Sequence, residues 1–258
     1  MSLERLKKSL RCWRDSWRSL EGPELEPRLW HSHFLTAHHA GRALHRLGAD
    51  LRGRVIDIGA GSGHGARYLH PQFTEYLPTD LPSGRSAADL SISRQGHTPL
   101  VHCSIYELPF ANDTFDGSLL LNVLEHLDAP QRGLLELWRV LKPGGALLFA
   151  VPFAFPIHGA PQDFRRWTAH GLSVELQAAG FELQAMQACG GTASSLAINL
   201  ALHWRYEVPQ LVVLTPLLIV MQGLLNGLAL VLDAMLPTAT GLPLVYVGLA
   251  RKAGPPSR

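Results

Sequence analysis

The sequence predicts an α/β fold with a doubly wound, mostly parallel sheet of seven strands and a hydrophobic helical insertion before the last strand. Two observations predict it. An apolar strand near residue 55 runs straight into a glycine-rich turn, and strand-like and helix-like segments then alternate along most of the 258 residues. Parallel strands joined by helical crossovers of one hand form an open sheet, in which ligands bind outside the carboxyl ends of the strands.

The first strand, Val55 to Ile58, is followed by a turn that contains Gly59, Gly61 and Gly63. Glycine permits positive φ and lets a ligand approach without meeting a Cβ, and the free N–H groups of the next helix face that ligand. A nucleotide-like cofactor is therefore expected at this turn, although glycine also serves simply to turn a chain.

A second strand, Phe73 to Thr79, leads to Asp80, roughly 20 residues beyond the glycines, where a carboxylate can accept both hydroxyl protons of a ribose. This spacing fits NAD, FAD and S-adenosylmethionine alike. Asp57 favours the last of these, because its charge repels a pyrophosphate and attracts a sulfonium. A dinucleotide fingerprint that starts at Gly59 also needs a third glycine where the chain has His64.

The remaining elements continue the alternation of strands and helices. Strands are predicted at Leu100 to Cys103, Gly117 to Leu121, Ala146 to Val151, Phe181 to Cys189 and Leu244 to Ala250. Helices are predicted at Pro130 to Leu141, which ends at Lys142-Pro143-Gly144-Gly145, and at Gly171 to Ala179.

Five segments in this order resemble the class I S-adenosylmethionine-dependent methyltransferases that share the small-molecule methyltransferase domain. They are Val55 to Gly63, Asp80, Glu107 to Asp116, Asn122 to His126 and Arg139 to Gly145. The resemblance covers the core of the chain. It implies a Rossmann-like sheet with an antiparallel last strand, S-adenosyl-L-methionine as cofactor, and methyl transfer as the activity. The cofactor-binding residues it implies are Asp57, Gly59, Ala60, Gly61, Gly63, Asp80, Leu81, Ser104, Ile105, Asn122 and His126.

One departure from the family concerns the adenine site. Where relatives carry an Asp that hydrogen-bonds the adenine amino group, this chain has Ser104, followed by Ile105. A hydroxyl can accept that bond but lacks the charge, so weaker or altered adenine recognition is expected.

The loop after the fifth strand, residues 152–168, is expected to overlook the methyl acceptor. Methyl transfer needs an aligned acceptor in a dry site, and a base only where the acceptor loses a proton. His158 is the leading general base, with Asp163 as its partner, unless the two merely fix the loop by hydrogen bonds. Arg165 and Arg166 either hold an anionic acceptor or serve as surface charges and carboxylate partners.

The segment Val208 to Leu232 contains no charged residue and is long enough to cross a bilayer. A single crossing would separate Leu244 to Ala250 from the sheet that it must join. The insertion, residues 191–240, is therefore expected to form a helical hairpin of Thr192 to Tyr206 and Pro209 to Leu236 that enters one leaflet. Alternatively, the same helices lie in the interface or cap the active site. A buried helix or a dimer interface is the alternative.

An N-terminal extension, residues 1–29, is expected to precede the methyltransferase domain at 30–258. The pattern of the extension predicts a basic amphipathic helix suited to an anionic membrane surface. The alternatives are a helix docked on the domain and a solvated charged segment. No signal-peptide core is evident, so a cytoplasmic protein with peripheral or monotopic membrane association is expected. The apolar face is Leu3, Leu6, Leu10, Trp13, Trp17 and Leu20, and the basic residues are Arg5, Lys7, Lys8, Arg11, Arg14 and Arg18.

Several other classes of protein are disfavoured. The three cysteines form neither a disulfide framework nor a zinc motif, and the histidines predicted on a helix before the first strand lack acidic or cysteine partners, so no metal is expected. No basic groove with aromatic residues points to nucleic acid. Two function classes remain: a methyltransferase acting on a small or lipid-like acceptor near a membrane, and a binding or scaffold protein that keeps the fold without turnover.

Overall fold

The computed structural model describes residues 4, 7–9, 12, 27–61, 73–82, 100–207, 213–236 and 241–254. It divides into two compact units. The sheet unit comprises Gly41–Phe153, Ile157–Gln187 and Tyr246–Arg258, and the helical unit comprises Met1–Ala40, Ala154–Pro156 and Ala188–Val245.

The seven-stranded sheet has the order β3-β2-β1-β4-β5-β7-β6, as the sequence predicts for this fold class. The pairs β1–β2, β1–β4, β2–β3 and β4–β5 are parallel. β7 runs antiparallel to β6, because Leu244 N–H donates to Cys189 O at one end and Ala253 N–H donates to Gly180 O at the other. The strands are β1 Gly53–Ile58, β2 Phe73–Asp80, β3 Val101–His102, β4 Phe115–Leu121, β5 Leu141–Pro152, β6 Phe181–Cys189 and β7 Val245–Lys252.

The helices of the described residues are α1 Phe34–Leu47, α2 Pro130–Val140, α3 Ala169–Ala178, α4 Thr192–Leu202 and α5 Thr215–Met235. A 3-10 turn, Leu124–His126, follows β4. α2 forms because Leu134, Leu137 and Val140 recur on one face, and this face is buried in the core. The core consists largely of such residues together with the apolar side chains of β1, β4 and β5.

Three boundaries differ from the prediction. Lys142-Pro143-Gly144-Gly145 lies inside β5, as a bulge, and not between the preceding helix and the strand as predicted: Phe115 pairs with Leu141 and Gly117 with Ala146, and Gly144 has φ of +74°. β3 has only two residues, because only Thr79 and Asp80 of β2 pair with it. The first insertion helix, predicted to reach residue 206, ends at Leu202 and continues as a π-helix, His203–Glu207.

The insertion's two helices form a hairpin in the helical unit. Asp233, at the end of α5, accepts hydrogen bonds from the N–H groups of Gly191 (2.9 Å), Ala193 (3.0 Å) and Ser194 (3.2 Å). These are N–H groups at the start of α4, which a helix leaves without partners of its own. The carboxylate therefore fixes the end of α5 at the beginning of α4. Pro216 lies in the first turn of α5, where proline is tolerated.

Most of the predicted N-terminal amphipathic helix lies outside the described residues. Five of its residues are described, all helical and exposed: Glu4, Lys7, Lys8, Ser9 and Cys12. His31 and His33 lie in turns before α1, not on the helix where the sequence suggested them. Burial is the main cause that lowers the pKa of His31 to about 4.

Candidate cofactor and acceptor site

The glycine turn after β1 is held by hydrogen bonds to β2 and to the residues that follow it. Gly59 and Gly61 have φ of +66° and +52°, which L side chains rarely adopt. Ala60 N–H donates to Thr79 O at 2.9 Å, and Gly61 N–H donates to Asp80 Oδ2 at 3.0 Å. The same carboxylate accepts the N–H of the exposed Leu81 at 2.7 Å. Gly63, the third predicted glycine, lies outside the described residues.

Asp57 is buried at the end of β1 and accepts a hydrogen bond from the hydroxyl of Tyr76 at 2.5 Å. Burial is the main cause that raises the pKa of Asp57 to about 7. The hydrogen bond from Tyr76 lowers this pKa, and the charge of Asp80 raises it. The same burial raises the pKa of Tyr76, so the phenol stays protonated and remains a donor. Asp57 is therefore a carboxyl group whose ionisation a nearby cation would favour strongly.

The segment after β4 packs directly on the glycine turn. A Cβ at Gly59 would come within 2.6 Å of Val123 Cγ2, so only glycine fits beneath this side chain. Asn122 adopts a φ of 55°, and the 3-10 turn that follows carries Glu125 and His126. The packing brings the ends of β1 and β4 together at one edge of the sheet.

The predicted adenine residues follow β3. Ser104 Oγ accepts the N–H of Tyr106 at 3.2 Å, and Ser104 pairs with Glu107 in an isolated bridge. Ile105 is buried, with its Cδ1 beside Gly133 of α2. A serine oxygen accepts two hydrogen bonds, so Ser104 keeps one acceptor position beyond its local bond.

These residues fit S-adenosylmethionine. Of the described residues, a Cβ at Gly61 would meet nothing nearer than the carbonyl oxygen of Gly59 at 4.0 Å, which leaves room for a ligand beside these residues. Asp80 stands at the turn and Asp57 lies close enough to feel its charge, which suits a cationic nucleoside and opposes a pyrophosphate. Asp57, Asp80 and the backbone of Gly59 to Gly61 would hold the cofactor. Ser104 and Ile105 would contact its base.

The loop after β5 is fixed by Asp163. This carboxylate accepts the backbone N–H of His158 at 2.8 Å and two hydrogen bonds from Arg166, at 2.5 and 2.8 Å. The Arg166 guanidinium holds the pKa of Asp163 well below its usual range. Arg165 donates to the carbonyl oxygens of Leu127 and Asp128, and so clamps the loop to the segment after β4. Both arginines thus have structural partners within the loop region.

His158 and His126 meet beside a buried carboxylate that the sequence did not single out. Glu125 is fully buried, and among the described residues neither of its carboxylate oxygens has a hydrogen-bond partner. Its Oε1 lies 3.7 Å from His158 Nε2 and 3.9 Å from His126 Nε2. We call these three residues the Glu-His-His cluster. The sequence placed Glu125 inside a family segment but offered no signal that residue 158 would return to it.

Comparisons with known proteins identify methyltransferases with similar sequences. A family model described as a methyltransferase domain matches residues 56–149. A demethylmenaquinone methyltransferase of Clavibacter sepedonicus is 30% identical over 96 residues, which are 37% of this chain and 39% of the relative. The chain thus spans about two fifths of the length of that curated relative.

Solved structures share the fold over most of the chain. An S-adenosylmethionine-dependent methyltransferase from Mesorhizobium loti matches with a TM-score of 0.51 at 16% identity, covering 86% of this chain and 100% of that one. The cyclase SpnF matches with a TM-score of 0.53 at 20% identity, covering 84% of this chain and 82% of its own.

Proposed function

We propose that the chain is a class I S-adenosylmethionine-dependent methyltransferase that methylates a small, lipid-like acceptor at a membrane surface; the match of residues 56–149 to a methyltransferase-domain model supports the family. S-adenosylmethionine supplies a methyl group activated on a positively charged sulfur. The observation that carries the membrane part of the proposal is the orientation of α5. The name of the Clavibacter relative supports an apolar acceptor, since demethylmenaquinone is a quinone.

α5 carries its polar residues inward and its apolar residues outward. Gln222 and Asn226 are buried; the amide of Gln222 donates to Asn226 Oδ1 at 2.8 Å, and Asn226 donates to the carbonyl oxygens of Leu29 at 2.6 Å and His31 at 3.1 Å. A helix on a water-exposed surface has the opposite pattern. The exposed side chains of α5 are Leu217, Val220, Met221, Leu224, Leu228, Val231, Leu232 and Met235.

The length and exposure of α5 suit lipid. It has 21 residues, about 31 Å at 1.5 Å per residue, and only 28% of its most apolar window is buried. Among the described residues it is the one helix long and apolar enough to cross a membrane. The hydrogen bonds of Asp233 tie its end to the start of α4, which favours a hairpin that lies in one leaflet over a single crossing.

A vesicle-binding experiment tests this orientation. We expect the full chain to sediment with vesicles of phosphatidylcholine and phosphatidylglycerol, and the double substitution Leu224→Asp/Leu228→Asp to weaken binding roughly 100-fold or more, because two exposed leucines that would enter the bilayer are replaced by charges. Val174→Asp on α3 is the matched control, since Val174 is 66% exposed and Leu224 is 67% exposed. Vesicle binding that both variants lose equally, or neither loses, would contradict the proposal.

For the acceptor, we propose that His158 takes up the proton of a hydroxyl that enters the Glu-His-His cluster, while Asp163 holds the loop in position. The contacts of Asp163 with His158 N–H and Arg166 support the positioning role. Asn122 and His126 follow β4, beside the glycine turn, and are proposed cofactor residues with Asp57 and Asp80.

Two measurements separate catalysis from the alternative of a non-catalytic binding protein, which Ser104 favours by lacking the family's charge. Calorimetry should detect binding of S-adenosylmethionine and S-adenosylhomocysteine but not NAD. Transfer of a labelled methyl group to extracted quinones or lipids should then be seen in detergent. Cofactor binding without methyl transfer to any of the extracted quinones or lipids would favour the non-catalytic alternative. The similarity to the cyclase SpnF concerns the fold alone and does not support that alternative.

A further inference from the structure

We propose that the Glu-His-His cluster, Glu125, His126 and His158, is a binding site for a divalent transition-metal ion. Each residue offers one ligand atom, and the three atoms lie within 4.8 Å of one another. The spacing of these residues along the chain shows no metal-ligand motif, because His158 is brought in by the loop after β5. The existence of this metal site does not depend on the proposed function. The role of the ion toward the acceptor does rest on the proposed function.

The first observation is the unsatisfied carboxylate. Glu125 is fully buried in the cluster, and both of its oxygens lack a hydrogen-bond donor in the part of the chain that the structure describes. A buried carboxylate without donors is unfavourable unless a cation is close. The charge of Glu125 reaches Arg166, but that guanidinium donates two hydrogen bonds to Asp163, its main partner.

The second observation is the direction of the imidazoles. His126 Nδ1 lies 2.6 Å from the carbonyl oxygen of Gln162, which only accepts, so Nδ1 carries the proton and Nε2 presents a lone pair toward Glu125. A backbone carbonyl in this position is a common outer partner of a metal-bound histidine. Gly159, with φ of +68°, brings the loop against His126, where a Cβ would be 3.2 Å from Cε1.

His158 completes the set from the other side. Its Nε2 lies 3.7 Å from Glu125 Oε1, and its Nδ1 lies 3.5 Å from Asp163 Oδ2. Arg166 Nη2 also lies 3.5 Å from His158 Nδ1. An ion would bind the tautomer with the proton on Nδ1, which would then donate to Asp163 Oδ2 in place of the contact with Arg166. The rings of His126 and His158 are 5.0 Å apart at an angle of 80°, so their Nε2 atoms approach Glu125 from different directions.

The separations suit a small first-row ion after slight contraction. In a tetrahedral zinc site, bonds of about 2.1 Å place ligand atoms about 3.4 Å apart. The two distances from Glu125 Oε1, 3.7 and 3.9 Å, need to shorten by a few tenths of an ångström, and the ligand atoms of the two imidazoles lie within 4.8 Å of each other. Two imidazoles and one carboxylate are ligands for Zn²⁺, Mn²⁺ or Fe²⁺, and three protein ligands leave a position open for a further oxygen.

The open position gives the ion a role in the proposed reaction. The cluster follows β4 and β5, and Val123 packs on Gly59 of the cofactor turn, so the ion would lie beside that turn. An acceptor hydroxyl bound to the ion loses its proton to solvent more readily. Its oxygen then forms the O–CH₃ bond as the S–CH₃ bond breaks, and the sulfonium leaves as a neutral thioether. With the ion bound, His158 would be a metal ligand and not the general base. The ion would then be the group that promotes loss of the acceptor's proton.

The test measures metal binding directly, without activity. Purified full chain, stripped with chelator, is titrated with Zn²⁺ by calorimetry and with Co²⁺ by visible absorption, in which low-coordinate sites give strong d–d bands. We expect one tight site, weakened roughly 100-fold or more in Glu125→Gln and His158→Asn, because each removes a ligand. His38→Ala in α1 and His170→Ala in α3 are controls for other histidines, and should retain the tight site.

Thermal unfolding and S-adenosylmethionine binding of the metal-free variants show whether they fold. Absence of a tight site in the wild type, or a tight site that Glu125→Gln leaves intact, would overturn the proposal. Metal binding with no methyl transfer would leave the site standing and count against the proposed function alone. Methyl transfer that chelator leaves unchanged, with a site present, would remove the ion from the reaction.

Discussion

The raised pKa of Asp57 predicts that cofactor affinity increases with pH below neutrality. Only the ionised carboxylate attracts a cationic ligand, and its pKa is about 7 in the free protein. About one tenth of these groups are ionised at pH 6 and about half at pH 7. The affinity for S-adenosylmethionine should therefore rise about fivefold between pH 6 and 7, an interval in which the ligand keeps its charge.

Calorimetric titration at several pH values measures this increase. Asp57→Asn should flatten it, because no carboxylate remains to ionise. Tyr76→Phe should move the midpoint to higher pH, since the Tyr76 hydrogen bond lowers the pKa of Asp57. An unchanged slope in Asp57→Asn, or a midpoint that stays in place in Tyr76→Phe, would refute the reasoning.

The same shift has the opposite effect on the free protein. A carboxyl whose pKa rises from 3.8 to about 7 on folding favours the folded state when protonated. Its contribution to the unfolding free energy is complete below pH 3.8 and is lost as pH rises to 7, by about 4 kcal/mol at most. The contribution of Asp57 to the unfolding free energy thus falls over the same pH range in which its carboxylate attracts a cation more strongly.

Three further substitutions have defined outcomes. Asp80→Ala should weaken cofactor binding by about 1 to 3 kcal/mol in calorimetry, because a charged hydrogen-bond acceptor is lost; unchanged affinity would contradict its assignment. Gly248→Leu should lower the midpoint of thermal unfolding strongly, since a Cβ there would lie 2.2 Å from Phe149 Cζ, and an unchanged midpoint would contradict this packing. Arg139→Ala should lower the unfolding free energy by about 2 to 3 kcal/mol in urea, because its guanidinium bonds Glu136 and the carbonyl oxygens of Leu108 and Phe110; a loss below 1 kcal/mol would contradict it.

The sequence predicts that the glycine turn and Asp80 follow neighbouring strands, because these signals are local. Strand, glycine turn and the acid after the next strand recur at short, regular spacing, and the structure brings Gly61 N–H and Asp80 Oδ2 to 3.0 Å. The fold class could be predicted for the same reason, since the alternation of strands and helices is visible in the local sequence pattern. The bulge at Lys142 to Gly145 was missed, because proline and glycine end helices as readily as they bend strands.

Contacts between distant segments could not be predicted. Glu125 and His158 meet only because the loop after β5 folds back over the turn after β4. Asp233 caps a helix that begins some 40 residues earlier, and no local pattern couples the two. The apolar run of α5 was evident, but its inverted orientation depends on Asn226 reaching Leu29 and His31, far away in the sequence.

The outward-facing leucines of α5 have a kinetic consequence. An enzyme anchored by this stripe searches for its acceptor by lateral diffusion within a leaflet, not through the surrounding water. The concentration that governs its rate is then the mole fraction of acceptor in the bilayer. Adding inert phospholipid at constant total acceptor should slow such an enzyme by surface dilution, as it would not slow one that draws its acceptor from bulk solution.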